Sequence, residues 1–502
     1  MIADRPSRHP GASFDLTIEA DPVGGYACIY LPGGDVIALY NIAPEALDET
    51  SFAFARPQIT GTDGNDVLRG TIASDDMFGL DGDDRFMAGA GDDAFMGGNG
   101  IDTVDYRNDS VGVIVDLVNG GVGGNADGDL YDSIERIFGT NFADSLIGSD
   151  NADTLVGYDG DDTIDGGAGD DALRGGTGND EIQGGDGSDM LFGEDGNDTI
   201  YGGIGDDIAR GDAGNDVISG DAGDDFLRGG DGDDLIRGGA DADRLLGEAG
   251  ADTLDGGTGN DVLRGGDDAD TLYGGDGDDD LFGEDGDDII FGNDGDDTIH
   301  GDAGADAIDG GTGIDIVDYS ASTAAVTVNL LAGAGHGGDA EGDTYTGVER
   351  AIGSALNDDL SGNNRANLLI GGDGNDLLFG NGGRDSLRGG EGADFLDGGD
   401  GDDRLFGGAG DDELWGGGGS DTFMFGDPHT TAGEMWGIDT IMDFVHGSDH
   451  IDMSLLSHVN GIGDLTITDD IHGNALIEDG LGNSITLMTA SSADISADDF
   501  IF

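Results

Sequence analysis

Lysine is absent from the 502 residues, so all 18 basic residues are arginine, set against 109 Asp and Glu for a net charge of −91. Acidity on this scale excludes nucleic acid as a natural partner and disfavours anionic lipid surfaces. Cys28 is the single cysteine, which allows no intramolecular disulfide and no cysteine-based zinc site. Apolar residues make up 36% of the chain and aromatics 6%. That is too little apolar surface, with too much like charge, for the chain to collapse unaided. Something outside the sequence has to supply the missing stabilisation. No stretch approaches 18 consecutive apolar residues, so no helix is expected to span a bilayer. The opening Met1-Ile2-Ala3-Asp4-Arg5-Pro6 lacks the apolar stretch of a secretory signal peptide. The protein is therefore expected either to stay inside the cell or to leave by a route that reads another signal. Proline is missing between Pro57 and Pro428, as befits strands that must all donate ladder hydrogen bonds.

What is abundant is glycine, 103 residues, but not at every third place, which excludes collagen. Glycine recurs instead on a nine-residue period. Five units fill 61–105, twenty fill 139–318 without a slip, and eight fill 353–424. A representative unit is Gly166-Gly167-Ala168-Gly169-Asp170-Asp171-Ala172-Leu173-Arg174. Across these 33 units the first position is glycine except at Ala88, and the sixth is aspartate except at Asn367. The eighth is a large apolar residue except at Ala209. Glycines at the first, second and fourth places permit positive φ and close approach of neighbouring backbones. The seventh to ninth residues form a minimal strand whose centre points one way and whose flanks point the other. One inward apolar residue in nine predicts a coil of two units per turn, with two parallel ladders around a thin aliphatic core. The fold class is therefore all-β, a parallel β-roll or solenoid. At about 4.8 Å per coil, the ten coils of the central block would extend roughly 48 Å.

The candidate metal ligands are the sixth-position aspartates. In the first block they are Asp66, Asp75, Asp84, Asp93 and Asp102. In the second they are Asp144, Asp153, Asp162, Asp171, Asp180, Asp189, Asp198, Asp207, Asp216, Asp225, Asp234, Asp243, Asp252, Asp261, Asp270, Asp279, Asp288, Asp297, Asp306 and Asp315. In the third they are Asp358, Asp376, Asp385, Asp394, Asp403, Asp412 and Asp421. Coiling stacks these carboxylates over one another along each edge, where they repel unless a cation lies between them. Oxygen donors without nitrogen or sulfur suit a hard cation, and irregular geometry suits calcium better than magnesium.

The pattern Gly-Gly-x-Gly-x-Asp-x-U-x, with U a large apolar residue, resembles the RTX or hemolysin-type calcium-binding repeat. That resemblance implies a parallel β-roll with calcium between loops of successive turns on one edge. It implies as ligands the aspartate side chains and the carbonyls of the glycine-rich half. Asn367 is expected to weaken one site, and Phe142, Asn151, Asp241 and Asp268, which replace the fourth-position glycine, to weaken others. Because loops pair two units apart, a block of n units offers at most n − 2 internal sites, 27 ions in all. Those would bring the charge from −91 to about −37, so folding is expected to be coupled to calcium. An acidic linker that never folds leaves the regular eighth-position aliphatics unexplained.

Between and beyond the blocks lie an N-terminal segment (1–60), two inserts (106–138 and 319–352) and a C-terminal region (425–502). In the first, residues 25–31 and 35–40 flank Pro32-Gly33-Gly34 and predict a hairpin of unknown role. The inserts resemble each other: Tyr106, Val113, Val115, Leu117, Gly128, Asp129 and Glu135 recur as Tyr319, Val326, Val328, Leu330, Gly342, Asp343 and Glu349. They are similar to elements beside RTX repeats in serralysin-type proteases and are expected to act as caps or joints. The stretch 125–135 is no EF-hand, since Leu130 stands where glycine is required and Arg136 where glutamate is. The ending Ala497-Asp498-Asp499-Phe500-Ile501-Phe502 is similar to the C-terminal signal of type I secretion substrates, which implies export and an extracellular location.

No His-Glu-x-x-His zinc motif and no Gly-x-Ser-x-Gly elbow occurs. The nearest arrangement, His446-Gly447-Ser448-Asp449-His450, reads as ordinary surface. Pore-forming RTX toxins carry a long apolar helical region and an acylated lysine, and neither is present. The expected function is thus a secreted, non-enzymatic calcium-binding protein with a surface, matrix or adhesion role. Its partners would be calcium, the type I secretion machinery and an unidentified surface or matrix component. The alternatives are a secreted hydrolase or carbohydrate-modifying enzyme with an unrecognised site, or an accessory component of an RTX toxin.

Overall fold

A computed structural model describes residues 17–20, 27–30, 36–39, 56–426 and 436–502. The chain divides into two units, Met1–Gln58 and Ile59–Phe502. In the first, strands Thr17–Ala20, Ala27–Tyr30 and Val36–Leu39 form an antiparallel sheet in that order. The hairpin partners pair Ala27 with Leu39 and Tyr30 with Val36, while its turn, Pro32-Gly33-Gly34, lies outside the described residues.

The second unit is an all-β parallel roll. One long sheet of 21 strands runs from Val67–Arg69 to Phe500–Ile501, its neighbouring strands paired in parallel. Opposite it stand sheets of four, twelve and ten strands. Consecutive units alternate between the two sides, so each strand pairs with the one 18 residues later, as Thr163 does with Glu181. Each coil thus holds two units. Most repeat strands are longer than the three residues of the minimal strand. They span six, as in Thr163–Ala168, because the first three residues of the following unit continue the ladder, Gly167 opposite Gly185 and Ala168 opposite Asp186.

The eighth-position side chains form the core. Leu155, Leu173, Leu191, Leu227 and Leu245 stack fully buried from one sheet, and Ile182, Ile200, Ile218 and Ile236 from the other. Ala209, the undersized exception, is buried in the same column. The core is one side chain wide, so hydrophobic burial per residue is small and the acid-rich edges dominate the energetics.

The inserts carry the roll onward rather than interrupting it. Arg136–Phe138 rejoins the long sheet between Thr103–Asp105 and Thr154–Asp159, and Val348–Ile352 does the same further along. At the C-terminus, Phe500–Ile501 pairs with His450–Asp452. The turn before it is held by a capping box between Ser496 and Asp499. His446, read from sequence as plain surface, places Nδ1 2.7 Å from Asp499 Oδ1 and so ties that terminal turn to the roll.

Candidate metal sites

The sixth-position aspartates are built into two hydrogen-bonded columns. Each Oδ1 accepts the backbone N–H of the aspartate 18 residues earlier. Asp162 donates to Asp180, Asp180 to Asp198 and Asp198 to Asp216 at 2.7–2.8 Å, with Asp171, Asp189, Asp207 and Asp225 repeating the pattern in the other column. The other oxygen is left alone. In 26 units, from Asp84 to Asp102, Asp162 to Asp315 and Asp376 to Asp412, Oδ2 is buried without any hydrogen-bond partner. An isolated buried carboxylate oxygen costs several kcal/mol, and repeating it 26 times is untenable without a compensating charge.

The first-position glycines shape what lies beside that oxygen. A Cβ at Gly157 would fall 2.0 Å from Asp162 Oδ2 and 2.8 Å from the Gly175 carbonyl oxygen. At Gly184 the same atom would meet Asp189 Oδ2 at 2.3 Å and Gly202 O at 2.6 Å. Only glycine leaves room for a carboxylate oxygen and a carbonyl of the next rung to converge, and the gap between them is an oxygen-only cradle. Among the described residues no three His, Cys, Asp or Glu side chains converge on one point. The cradles are therefore made of one carboxylate and backbone carbonyls, a donor set that fits calcium and not zinc.

Burial acts on the same carboxyls. Loss of water raises Asp162 to about 7 and Asp252 to about 8. The N–H donated by the preceding rung pulls back in each case, and neighbouring carboxylates in the column push up further. Keeping these groups charged at neutral pH requires a cation.

The second and fourth positions hold the loop open. Gly167 and Gly169 have φ of 100° and 115°, and non-glycine residues at the second position adopt the same region, Glu194 at 77° and Glu248 at 82°. Asp241 and Asp268, expected to disturb their loops, keep left-handed φ of 78° and 76°, so the loop shape survives there. Phe142 and Asn151 do not enter that region, and neither do Ala73, Leu356 and Arg365, which also replace the fourth-position glycine. Substituting Gly196 by alanine is the severest local test, because φ is 150° and the new Cβ would lie 1.4 Å from the Gly178 carbonyl. The expected cost is at least about 1–2 kcal/mol, read as a higher calcium midpoint for folding by circular dichroism. Gly463→Ala, with nothing within 4 Å, should leave the midpoint unchanged.

The first two units of each block depart from the pattern. There the second-position residue turns its own N–H onto the sixth-position side chain. Thr62 donates to Asp66, Thr71 to Asp75, Thr140 to Asp144, Ser149 to Asp153 and Ser354 to Asp358, at 2.5–2.7 Å on Oδ2. Asn363 does the same for Asn367 Oδ1. In these six loops the oxygen left alone elsewhere has a partner, although Asp75 and Asp153 bury an unpartnered Oδ1 instead.

The columns also continue past the repeats, through residues not singled out as ligands. Asp93 donates to Asp129 and Asp102 to Glu135; Asp306 donates to Asp343 and Asp315 to Glu349. Beyond the last block, Asp412 and Asp421 donate to Asp439 and Asp449. In the inserts the second oxygen is not orphaned: the Tyr106 hydroxyl donates to Asp129 Oδ2 at 2.7 Å, and Tyr319 donates to Asp343. A phenol stands where a repeat loop leaves a cradle, which gives Asp129 and Asp343 a structural role.

A parallel two-unit coil with carboxylate-and-carbonyl cradles on its edges defines a metal-loaded β-roll. The chain belongs to the family of RTX calcium-binding nonapeptide repeat proteins, whose model (four copies of the repeat) matches overlapping stretches covering residues 58–104, 138–317 and 352–423. Its cofactor is calcium, bound at multiple sites. Among solved structures the chain is similar to the AlgE6R3 subunit of the Azotobacter vinelandii mannuronan C5-epimerase. The two are 32% identical over 29% of this chain and 78% of that one, with a TM-score of 0.20. It is also similar to the extracellular lipase LipA of Serratia marcescens, 20% identical over 51% of this chain and 40% of that one, with a TM-score of 0.18. No curated protein matches the chain.

Proposed function

We propose that the protein is a secreted, non-enzymatic scaffold whose roll folds when calcium enters the cradles, serving at a cell surface or in an extracellular matrix. The observation that carries this reading is the set of 26 buried Oδ2 atoms without a hydrogen-bond partner, 25 of them beside a first-position glycine and one, at Asp93, in the unit that opens on Ala88. The ligand role falls to those 26 aspartates and to Asp421, which accepts on Oδ1 alone. Asp66, Asp75, Asp144, Asp153 and Asp358, together with Asn367, form the hydrogen-bonded opening rungs of the three blocks. That division leaves two units per block without a cradle, so 27 ions remain the ceiling.

The route out follows from the same physics. Low cytosolic calcium keeps the chain unfolded and threadable, and higher calcium outside folds it. The terminal Phe500–Ile501 strand, docked on the roll once folded, is legible to an export machine only before that point.

Two substitutions test the ligand assignment. Asp225→Asn is expected to lower the calcium stoichiometry by one or two ions and to raise the calcium needed for folding. Asp153→Asn, where the Ser149 N–H already occupies Oδ2, is expected to leave the stoichiometry unchanged. Equal losses from both, by isothermal titration of calcium, would overturn the division between cradle and opening rung.

A further inference from the structure

The two sides of the roll differ in charge. Within the repeats, the outward seventh and ninth positions of the long sheet hold nine arginines and three acids. The same positions on the opposing sheets hold one arginine, Arg237, and eight acids. Four of the long-sheet arginines are neutralised on the spot: Arg85 pairs with Asp105, Arg174 with Glu194, Arg228 with Glu248 and Arg264 with Glu284. Others are not. Arg210, Arg244, Arg388 and Arg404 take part in no ion pair among the described residues, although the chain has about six carboxylates for every guanidinium. Arg210 also buries its Nε without a hydrogen-bond partner.

Aromatic rings lie between these cations. Phe192 sits between Arg174 and Arg210, whose guanidinium carbons are 5.5 and 6.0 Å from its centroid, and Arg388 lies 5.5 Å from that of Phe406. Two open grooves follow the same sheet. One, of about 460 Å³, is lined by Phe138, Tyr158, Arg174 and Phe192 together with Asp159 and Glu194; the other, of about 590 Å³, by Arg388, Arg404 and Phe406 with no acidic residue, and so carries the site better.

We infer that the outer face of the long sheet is a docking surface for an acidic polysaccharide whose sugars carry carboxylates. A guanidinium fork grips a carboxylate through two parallel hydrogen bonds, which an ammonium does not match. An adjacent ring offers the flat apolar platform that the C–H face of a sugar needs. The rungs repeat every 4.7–4.9 Å, so the unpaired arginines form two pairs along one face, Arg210 with Arg244 two rungs on and Arg388 with Arg404 on the next rung, which suits a linear polymer. The net charge does not forbid this. At physiological salt the fields of the other faces are screened within about 8 Å, so contact pairing on this face decides. Duplex nucleic acid is disfavoured, since its denser phosphate charge meets carboxylates at Glu194, Glu248 and Glu284 as soon as it broadens beyond the arginine rows.

The inference presupposes the calcium-folded roll of the previous section, so the strand signal is recorded on every sample and a failure to fold is told apart from a failure to bind. The experiment titrates the calcium-loaded full chain with a fluorescent galacturonate hexamer, an uncharged galactose hexamer and a glutamate hexapeptide. Saturable, salt-sensitive binding of the galacturonate hexamer alone is expected. It should weaken about tenfold or more in R210Q/R244Q and in R388Q/R404Q, and stay unchanged in R237Q. No saturable binding by folded protein, equal affinity in all variants, or equal affinity for the glutamate peptide would each overturn the proposal.

Discussion

Chelating calcium at neutral pH is expected to abolish most of the strand signal in far-ultraviolet circular dichroism, and restoring calcium to return it with a midpoint of about 0.1–1 mM free ion. The magnitude follows from the edges of the roll. At ion concentrations ten to a hundred times the dissociation constant, each occupied site contributes roughly 1.4–2.7 kcal/mol. A folded domain is held by only about 5–15 kcal/mol in total, so even a minority of the cradles decides the outcome. The core cannot compensate, because each unit adds only one aliphatic side chain to two facing columns. Without calcium, 26 buried carboxylate oxygens have no partner, and the charge of −91 opposes compaction. A strand signal indifferent to chelator would contradict this expectation.

Acid should substitute in part for calcium. Burial raises Asp180 to about 6, Asp162 to about 7 and Asp252 to about 8, against an ordinary 3.8. In the cation-free chain a carboxyl so shifted binds its proton more tightly folded than unfolded. Its stabilising contribution is therefore full below 3.8 and is lost as pH rises through the folded values. In chelator, the strand signal is accordingly expected to be absent above about pH 8 and to grow as pH falls through about 7 to 6. With calcium present the direction reverses for the ion: protons compete for the same oxygens, and calcium is expected to be released over that interval. Circular dichroism and a calcium electrode read on one titration check both halves. A chelated chain that stays unfolded down to pH 4 would contradict the first.

The roll was legible in the sequence because three chemically distinct demands recur at fixed places. Glycine is required where carbonyl and carboxylate converge, aspartate where the column is hydrogen-bonded, and an aliphatic residue where the core lies. Strand length was not legible, since pairing of Gly167 with Gly185 depends on a neighbour 18 residues away and leaves no local apolar mark. The opening rungs did leave a mark. Thr62, Thr71, Thr140, Ser149, Ser354 and Asn363 all place a hydroxyl or amide residue at the second position, and five of those six loops also lack the fourth-position glycine.

The continuation of the columns into Asp129, Glu135, Asp343 and Glu349 is visible in the sequence only as a duplication that reads as a cap or joint. The bonds to Asp93, Asp102, Asp306 and Asp315 span 33 to 37 residues rather than 18. Asp439 and Asp449 are embedded in Ile438-Asp439-Thr440-Ile441 and Ser448-Asp449-His450-Ile451, each a fair copy of positions five to eight. The nine-residue pattern does not mark them, because the glycine-rich half that normally precedes such a stretch is missing. The arginine-bearing face was hidden for another reason. A nine-residue period alternates between the two sides, so its chemistry emerges only when every second unit is read together.

The most direct test is the number of calcium ions held by the purified full-length protein at saturation, measured by equilibrium dialysis at neutral pH. The expected result is between 20 and 27 ions per chain, in line with 26 partnerless cradle oxygens and the rung at Asp421. Uptake of only a few ions by a chain that nonetheless shows its full strand signal would contradict it.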